Sequence, residues 1–217
     1  MIEIRVTGKK QIGIYECREK LKVRPGFVKV RVKACGICGS DLSIWKGSRE
    51  KEQYFGHEFV GTVTEVGENT DGIKEGDRVA SGIFKTCGRC LNCKNGQPNY
   101  CKSMSEVLYP GGFFEETIAE YSGEYHFIET VPAEMEDEIA LLCEPASCAL
   151  RIASQAELIP GQKVVILGMG AMGVLTGMFL KAFGASVVMG IDRNKERLVQ
   201  LKDIEFDYLL DLSLIHI

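Results

Sequence analysis

No stretch of this chain approaches the ~18 consecutive apolar residues that a membrane-spanning helix requires, and the opening MIEIRVTGKK lacks the uninterrupted apolar core of a secretory signal. These absences lead to the expectation of a cytoplasmic location and no membrane partner. Lys and Arg form no long run, and the net charge of -4 with a pI near 5.6 supplies no general attraction to phosphate backbones, which sets nucleic acid aside as a partner. Internal repeats and low-complexity segments are missing too. What remains is 217 residues with 45% hydrophobic content, enough to bury a core in one large or two small domains.

Cysteine is abundant instead. Nine thiols, an odd number, in a chain without an export signal argue against a disulfide framework and for metal binding. Cys87, Cys90, Cys93 and Cys101 fall within fifteen residues, whereas Cys17, Cys35, Cys143 and Cys148 are dispersed and read as buried thiols.

From Ile2 to about Lys33 apolar and polar residues alternate, as in Val28-Lys29-Val30-Arg31-Val32-Lys33, whose basic residues read as the solvated face of a strand. Further strands are expected over Glu58 to Glu65 and Arg78 to Ser81, punctuated by Gly61, Gly67, Gly72, Gly76 and Gly82. The acidic residues between Glu115 and Glu138 read as ordinary surface. After Pro132 the run Glu134 to Leu142 reads as a helix with an acidic first turn. From Lys163 the order is strand (Lys163 to Leu167), glycine turn, helix (Ala171 to Phe183), strand (Ser186 to Ile191), helix from Asn194 and a third strand near Tyr208, the opening of a doubly wound α/β domain. The expectation is a β-rich domain over residues 1–150 and an α/β domain over residues 151–217.

The run Cys87-Gly-Arg-Cys90-Leu-Asn-Cys93, followed by Cys101, puts four thiolates on one short loop, with Gly88, Gly96 and Pro98 supplying bends. Tetrahedral zinc wants this ligand set, and a closed four-sulfur site leaves no open position, so its role should be structural. An iron–sulfur cluster or a redox dithiol is the competing reading. Separately, Cys35-Gly-Ile-Cys38-Gly-Ser40-Asp41 and Gly56-His57-Glu58 offer a thiolate, an imidazole and carboxylates, a mixed set suited to zinc with an exchangeable fourth position. The plainer reading is a His beside a Glu as a satisfied pair.

Val164 to Leu167 leads into Gly168-Met-Gly170-Ala171-Met172-Gly173, the strand, turn and helix context of a dinucleotide-binding site. Gly168 permits the turn, Gly170 lets the backbone approach a pyrophosphate at the helix N-terminus alongside Ala171 and Met172, and Gly173 lets helix and strand lie close. Asp192, nineteen residues past Gly173, is placed to bond both ribose hydroxyls and to repel a 2'-phosphate, which favours NAD over NADP. Arg193 could instead accept that phosphate, and Asp192 could instead cap the next helix.

The order of Cys38 in CGICGSD, the GHE triplet, the four-cysteine lobe and the glycine turn resembles the zinc-dependent medium-chain dehydrogenases over essentially the whole chain. Leu142-Cys143-Glu144-Pro145 is similar to the Glu-Pro segment of the sorbitol, threonine and sugar-alcohol branch. The resemblance implies a GroES-like catalytic domain followed by a Rossmann domain, two zinc ions per chain, NAD, an alcohol or polyol substrate and a homo-oligomeric full-length protein. It implies that Cys38 and His57 ligate a catalytic zinc, with either Glu58 or Glu144 as third ligand. Asp41 would accept the other ring N–H of His57 and fix its tautomer, with a turn-forming Asp as the alternative. Ser40 would pass the alcohol proton toward solvent, or cap a helix after the CGIC turn.

Two departures stand out. Ser43 occupies a position where many relatives carry a proton-relay histidine, and the stretch from Cys38 to His57, with Trp45 as a candidate pocket wall, is short for that branch. The chain also ends near the third of the six strands of a complete dinucleotide-binding fold, and residues 212–217 resemble a translated sequencing adapter. The expectation is an N-terminal fragment, inactive by itself, in which His216 is not a ligand. The rival readings are a zinc-stabilised scaffold without catalysis and an NADPH-dependent carbonyl or enone reductase without catalytic zinc.

Overall fold

The computed structural model describes residues 1–17, 21–48, 55–82, 84–106, 111–121 and 128–214. The last three residues of the adapter-like tail, His216 among them, lie outside these. Contacts divide the chain into two compact units, Met1–Glu144 and Pro145–Ile217.

In the first unit β1 (Ile2–Gly8) and β2 (Gln11–Glu16) form an antiparallel hairpin. β3 (Phe27–Gly36) is followed by a short helix, α1 (Gly39–Ser43), and then by β4 (Glu58–Val66) and β5 (Arg78–Ser81). The next segment runs through β6 (Phe84–Lys85), α2 (Leu91–Lys94) and β7 (Ser105–Glu106), and the unit continues with β8 (Glu116–Glu120) and β9 (Ile128–Thr130). Five of these strands make one antiparallel sheet in the order β8-β3-β4-β5-β9. The alternation in β3 has the expected cause: Val28 and Val30 are fully buried and pack with Phe59, Val63, Val79, Ala119 and Ile128. Lys29, expected on a solvated face, is instead mostly covered and ion-paired with Glu65.

The helix expected from Glu134 begins later. α3 spans only Asp137–Ala140, and a separate helix, α4 (Cys143–Gln155), follows. Arg78 gives the reason. Its Nη1 donates to the carbonyls of Pro132 (3.5 Å) and Ala133 (3.3 Å), its Nη2 to that of Met135 (2.5 Å) and its Nε to Asp137 Oδ1 (2.9 Å). Carbonyls turned toward a guanidinium are not available to a helical ladder. Lys33 also bonds Asp137, and the two cations hold that carboxyl below its usual range, the Lys33 hydrogen bond first. α4 buries Pro145, Ala149 and Ala153 along one face. That periodicity leaves Cys143 and Cys148 exposed, against the expectation of buried thiols, while Cys17 and Cys35 are half-buried.

In the second unit β10 (Lys163–Leu167), α5 (Ala171–Ala182), β11 (Val187–Asp192), α6 (Lys195–Gln200) and β12 (Tyr208–Asp211) build a parallel sheet in the order β10-β11-β12. Val188 is its fully buried centre, packed with Ala153, Leu180 and Ala185. Among the described residues β10 is an edge strand, with Val165 59% and Leu167 76% exposed. No helix of the described residues is long and apolar enough to cross a membrane. Fold class is therefore as expected, a β-rich unit followed by an α/β unit, while the expected boundary at residue 150 falls inside α4.

Candidate metal centre and nucleotide turn

The antiparallel pairing that ends with Gly36 opposite Glu58 brings the chain leaving β3 beside the chain entering β4. Cys38 lies just beyond β3 as the N-cap of α1, and His57 lies just before β4. Their ligand atoms, with a carboxylate oxygen of Glu58, all fall within 4.8 Å of one another. A metal with bonds of about 2.0–2.3 Å to nitrogen, oxygen and sulfur sits at the centre of a set this size, so the residues fit a zinc ion.

Asp41 is 2% exposed and takes the alternative task, that of a turn-forming carboxylate. Its Oδ1 stands 3.8 Å from His57 Nδ1, beyond hydrogen-bond length. Its hydrogen bonds go to backbone: Cys38 N–H donates to Oδ2 and Gly56 N–H to Oδ1, each at 2.9 Å. One carboxylate thus ties the Cys38 turn to the His57 turn. Ser40 is an exposed residue of α1, with the cap position taken by Cys38, and Ser43, the last residue of that helix, is also exposed. Trp45 is half-buried, and its carbonyl accepts from Lys10 N–H at 2.6 Å. Residues 49–54 of the short stretch before His57 lie outside the described set.

Glu144 belongs to the same electrostatic neighbourhood. Burial raises its pKa, His57 opposes that shift, and Glu58 and Asp41 add to it. Cys35 is pushed up to about 12, first by burial and then by Asp41, which keeps it a neutral thiol beside the cluster. One residue the sequence reading passed over is Ser81. Its hydroxyl accepts from Phe59 N–H at 2.7 Å and donates to the His57 carbonyl at 2.5 Å. The available signal was weak: a hydroxyl following Val79-Ala80 at the end of a strand.

The paired strands β6 and β7 enclose the second cluster. Sulfurs of Cys87, Cys90, Cys93 and Cys101 lie within 4.8 Å of one another, with Cys90 to Cys93 and Cys87 to Cys101 both at 3.5 Å. A tetrahedron with metal–sulfur bonds of about 2.3 Å has edges near 3.8 Å, so the spacing suits zinc; no disulfide joins these thiols. Backbone N–H groups, those of Cys93 and Lys102 chiefly, lower Cys90 to about 6, while burial raises Cys93 to about 12. Crowded thiols cannot all ionise without a cation between them, which is what a divalent metal supplies.

In the nucleotide turn Gly168 has φ +95° and donates its N–H to the Ile191 carbonyl at 2.7 Å. A Cβ on Gly173 would stand 2.0 Å from the Gly168 carbonyl oxygen, so only glycine lets α5 lie this close. A Cβ on Gly170 would meet nothing within 4 Å. The N–H groups of Ala171, Met172 and Gly173 precede the first i−4 bond of α5, Val174 N–H to Gly170 carbonyl, and so are the unpaired donors of a helix start, next in the chain to that open space. The residues fit a pyrophosphate.

Asp192 is buried and accepts from Met169 N–H (2.8 Å), Asn194 N–H (2.8 Å) and Arg197 Nη1 (2.9 Å). It fastens the glycine turn to β11. The cap of α6 is Asn194, which accepts from Arg197 N–H at 3.1 Å, and Arg193 is exposed. A carboxylate offers about four acceptor positions, and three are in use here. These bonds, the Asn194 amide first and Arg197 second, lower Asp192 to about 2. Because the folded pKa lies below the unfolded one, the stabilisation is full above about pH 4 and is lost as pH falls toward 2. Asp192→Asn should flatten the acid limb of a denaturation series across that window; an unchanged slope would remove Asp192 from the account.

Residues 24–129 match the alcohol dehydrogenase GroES-like domain. The sorbitol dehydrogenase of Halalkalibacterium halodurans is 31% identical over 92% of this chain and 59% of its own length. A short chain alcohol dehydrogenase of Escherichia coli CFT073, solved with NADH, superposes with a TM-score of 0.84 at 28% identity over 99% of this chain and 63% of that one. A protein of Sinorhizobium meliloti 1021 described as a zinc-binding dehydrogenase, solved with NADP, gives 0.86 at 26% identity over 98% and 62%. The chain thus spans about six-tenths of the length of the relatives it matches.

Proposed function

We propose that this chain is part of a zinc-dependent medium-chain alcohol or polyol dehydrogenase, on the match of residues 24–129 to the alcohol dehydrogenase GroES-like domain and the likeness to a sorbitol dehydrogenase, and that the whole protein moves a hydride between an alcohol or polyol and NAD at a zinc held by Cys38, His57 and Glu58. The observation that carries this reading is the convergence of those three side chains within 4.8 Å. Zinc bound there would supply Lewis acidity, lowering the pKa of an alcohol as it does that of water, from about 16 toward 7. The nicotinamide carries the redox chemistry.

The chain's own residues have distinct tasks. Asp41 fixes the separation of the Cys38 and His57 turns through their amides. Glu58 is favoured as the third ligand because it shares the cluster, with Glu144 as the neighbouring carboxylate facing the same site. Ser40, exposed on α1, is the group through which a proton reaches solvent. The open space at Gly170 with the amides of Ala171 to Gly173 receives the pyrophosphate, and Asp192 takes a ribose hydroxyl with its remaining acceptor position. A sorbitol dehydrogenase among the relatives supports a polyol. Relatives solved with NADH and with NADP leave the choice of cofactor to Asp192, whose negative charge disfavours a 2'-phosphate.

The decisive measurement is zinc per chain. Two ions are expected, one per cluster, falling to one in Cys38→Ser. A single ion indifferent to that substitution would leave only the four-cysteine lobe and end the catalytic assignment.

A further inference from the structure

We infer that Ser81 is a positioning residue that sets the geometry of the His57–Glu58 pair; the inference rests on the proposed metal site. Strands β4 and β5 pair through Val60 with Ala80, Gly61 with Val79 and Thr62 with Arg78. The next pair in that register is Phe59 with Ser81, and there the serine side chain takes over from the backbone ladder. Its hydroxyl accepts the Phe59 N–H at 2.7 Å and donates to the His57 carbonyl at 2.5 Å, so one oxygen grips the backbone on both sides of Glu58.

The grip is anchored. Ser81 is buried, and its own backbone pairs with Ile128 of β9, so the hydroxyl is carried by the sheet rather than by a loop. On the other side of the pair, Asp41 holds Gly56 N–H. Side chains therefore hold the backbone from Gly56 to Phe59 at three points, two of them through a single hydroxyl, beside its pairing with β3 at Glu58 and Phe59 and the bond from Gly112 N–H to the Gly56 carbonyl. A ladder continued by backbone alone would carry residues 57 and 58 straight on along β5. The side-chain bridge takes the place of the next backbone pair with β5, while Glu58 and Phe59 stay paired with Gly36 and Cys35 of β3, the strand that leads into Cys38.

Removing the hydroxyl strands a buried N–H and frees the His57 carbonyl, while no residue that contacts the metal changes. Partners of this kind, acting on ligands without touching the ion, are worth about 10- to 100-fold in metal affinity. The test is zinc competition against a chromophoric chelator on the native chain, Cys38→Ser, Ser81→Ala and Ser81→Thr. Native chain binding two ions and Cys38→Ser binding one establishes the site itself. Ser81→Ala should then keep the ion of the four-cysteine lobe at native affinity, which reports a folded chain, and bind the second at least tenfold more weakly, with Ser81→Thr recovering most of the loss. The inference is overturned if Ser81→Ala binds both ions as the native chain does, or loses both together. A native chain that binds only one ion would sink the metal site instead.

Discussion

Stripping the proposed zinc from the four-cysteine lobe will unfold residues 87–101 while leaving the five-stranded sheet paired. The lobe has almost nothing else to hold it. Its helix, α2, is four residues long, far short of the twelve or so that stand alone in water. Its large side chains face outward, Leu91 at 72% and Tyr100 at 57% exposure, and the buried groups are the sulfurs of Cys93 and Cys101 themselves. Backbone N–H groups of Cys87, Cys90 and Ser103 point at sulfurs, so the loop is folded around its ligands rather than around apolar carbon. Structural zinc contributes on the order of 10 kcal/mol or more to small folds of this kind. Trypsin cleavage after Lys94 and Lys102 should accelerate at least a hundredfold on chelation or in Cys93→Ser, with hydrogen exchange in β3 and β4 unchanged. Resistance of those two bonds after complete metal removal would show that the lobe holds itself.

The lobe was legible because its signal is local: four cysteines with close spacing state their chemistry without a fold. The α/β element was legible for a related reason. Apolar strands, a glycine turn and helical spacing are periodic, and β10, α5 and β11 start or end within about one residue of where the pattern puts them. What escaped is the set of side chains that bond distant backbone. Ser81 reaches His57 and Phe59 across more than twenty residues, and Arg78 reaches the 132–137 segment across more than fifty. Neither leaves a periodic trace, so the late start of α3 was invisible. Asp41 shows the intermediate case: its place near His57 followed from resemblance, but its hydrogen bonds to the Cys38 and Gly56 amides depend on how two turns meet.

The glycine turn yields a paired prediction in which two substitutions separate folding from binding. In Gly173→Ala the new methyl would stand 2.0 Å from the Gly168 carbonyl oxygen. That neighbour is backbone, in a turn whose own glycine holds φ +95° and whose amide is bonded to Ile191, so it cannot rotate away. The helix must lift from β10, at a cost of about 3 kcal/mol. Exchange of the β10 and β11 amides, read by mass spectrometry, should accelerate by roughly a hundredfold at that cost. In Gly170→Ala the methyl meets nothing within 4 Å, so those amides should exchange at the native rate. It occupies, however, the open space next in the chain to the first-turn amides of α5. Binding of ADP, which carries the pyrophosphate and the adenosine ribose, should weaken at least tenfold in Gly170→Ala without any change in folding. Native ADP affinity in that variant would mean the space serves no phosphate. Native exchange rates in Gly173→Ala would mean the close contact of α5 with its turn is not what fixes the helix.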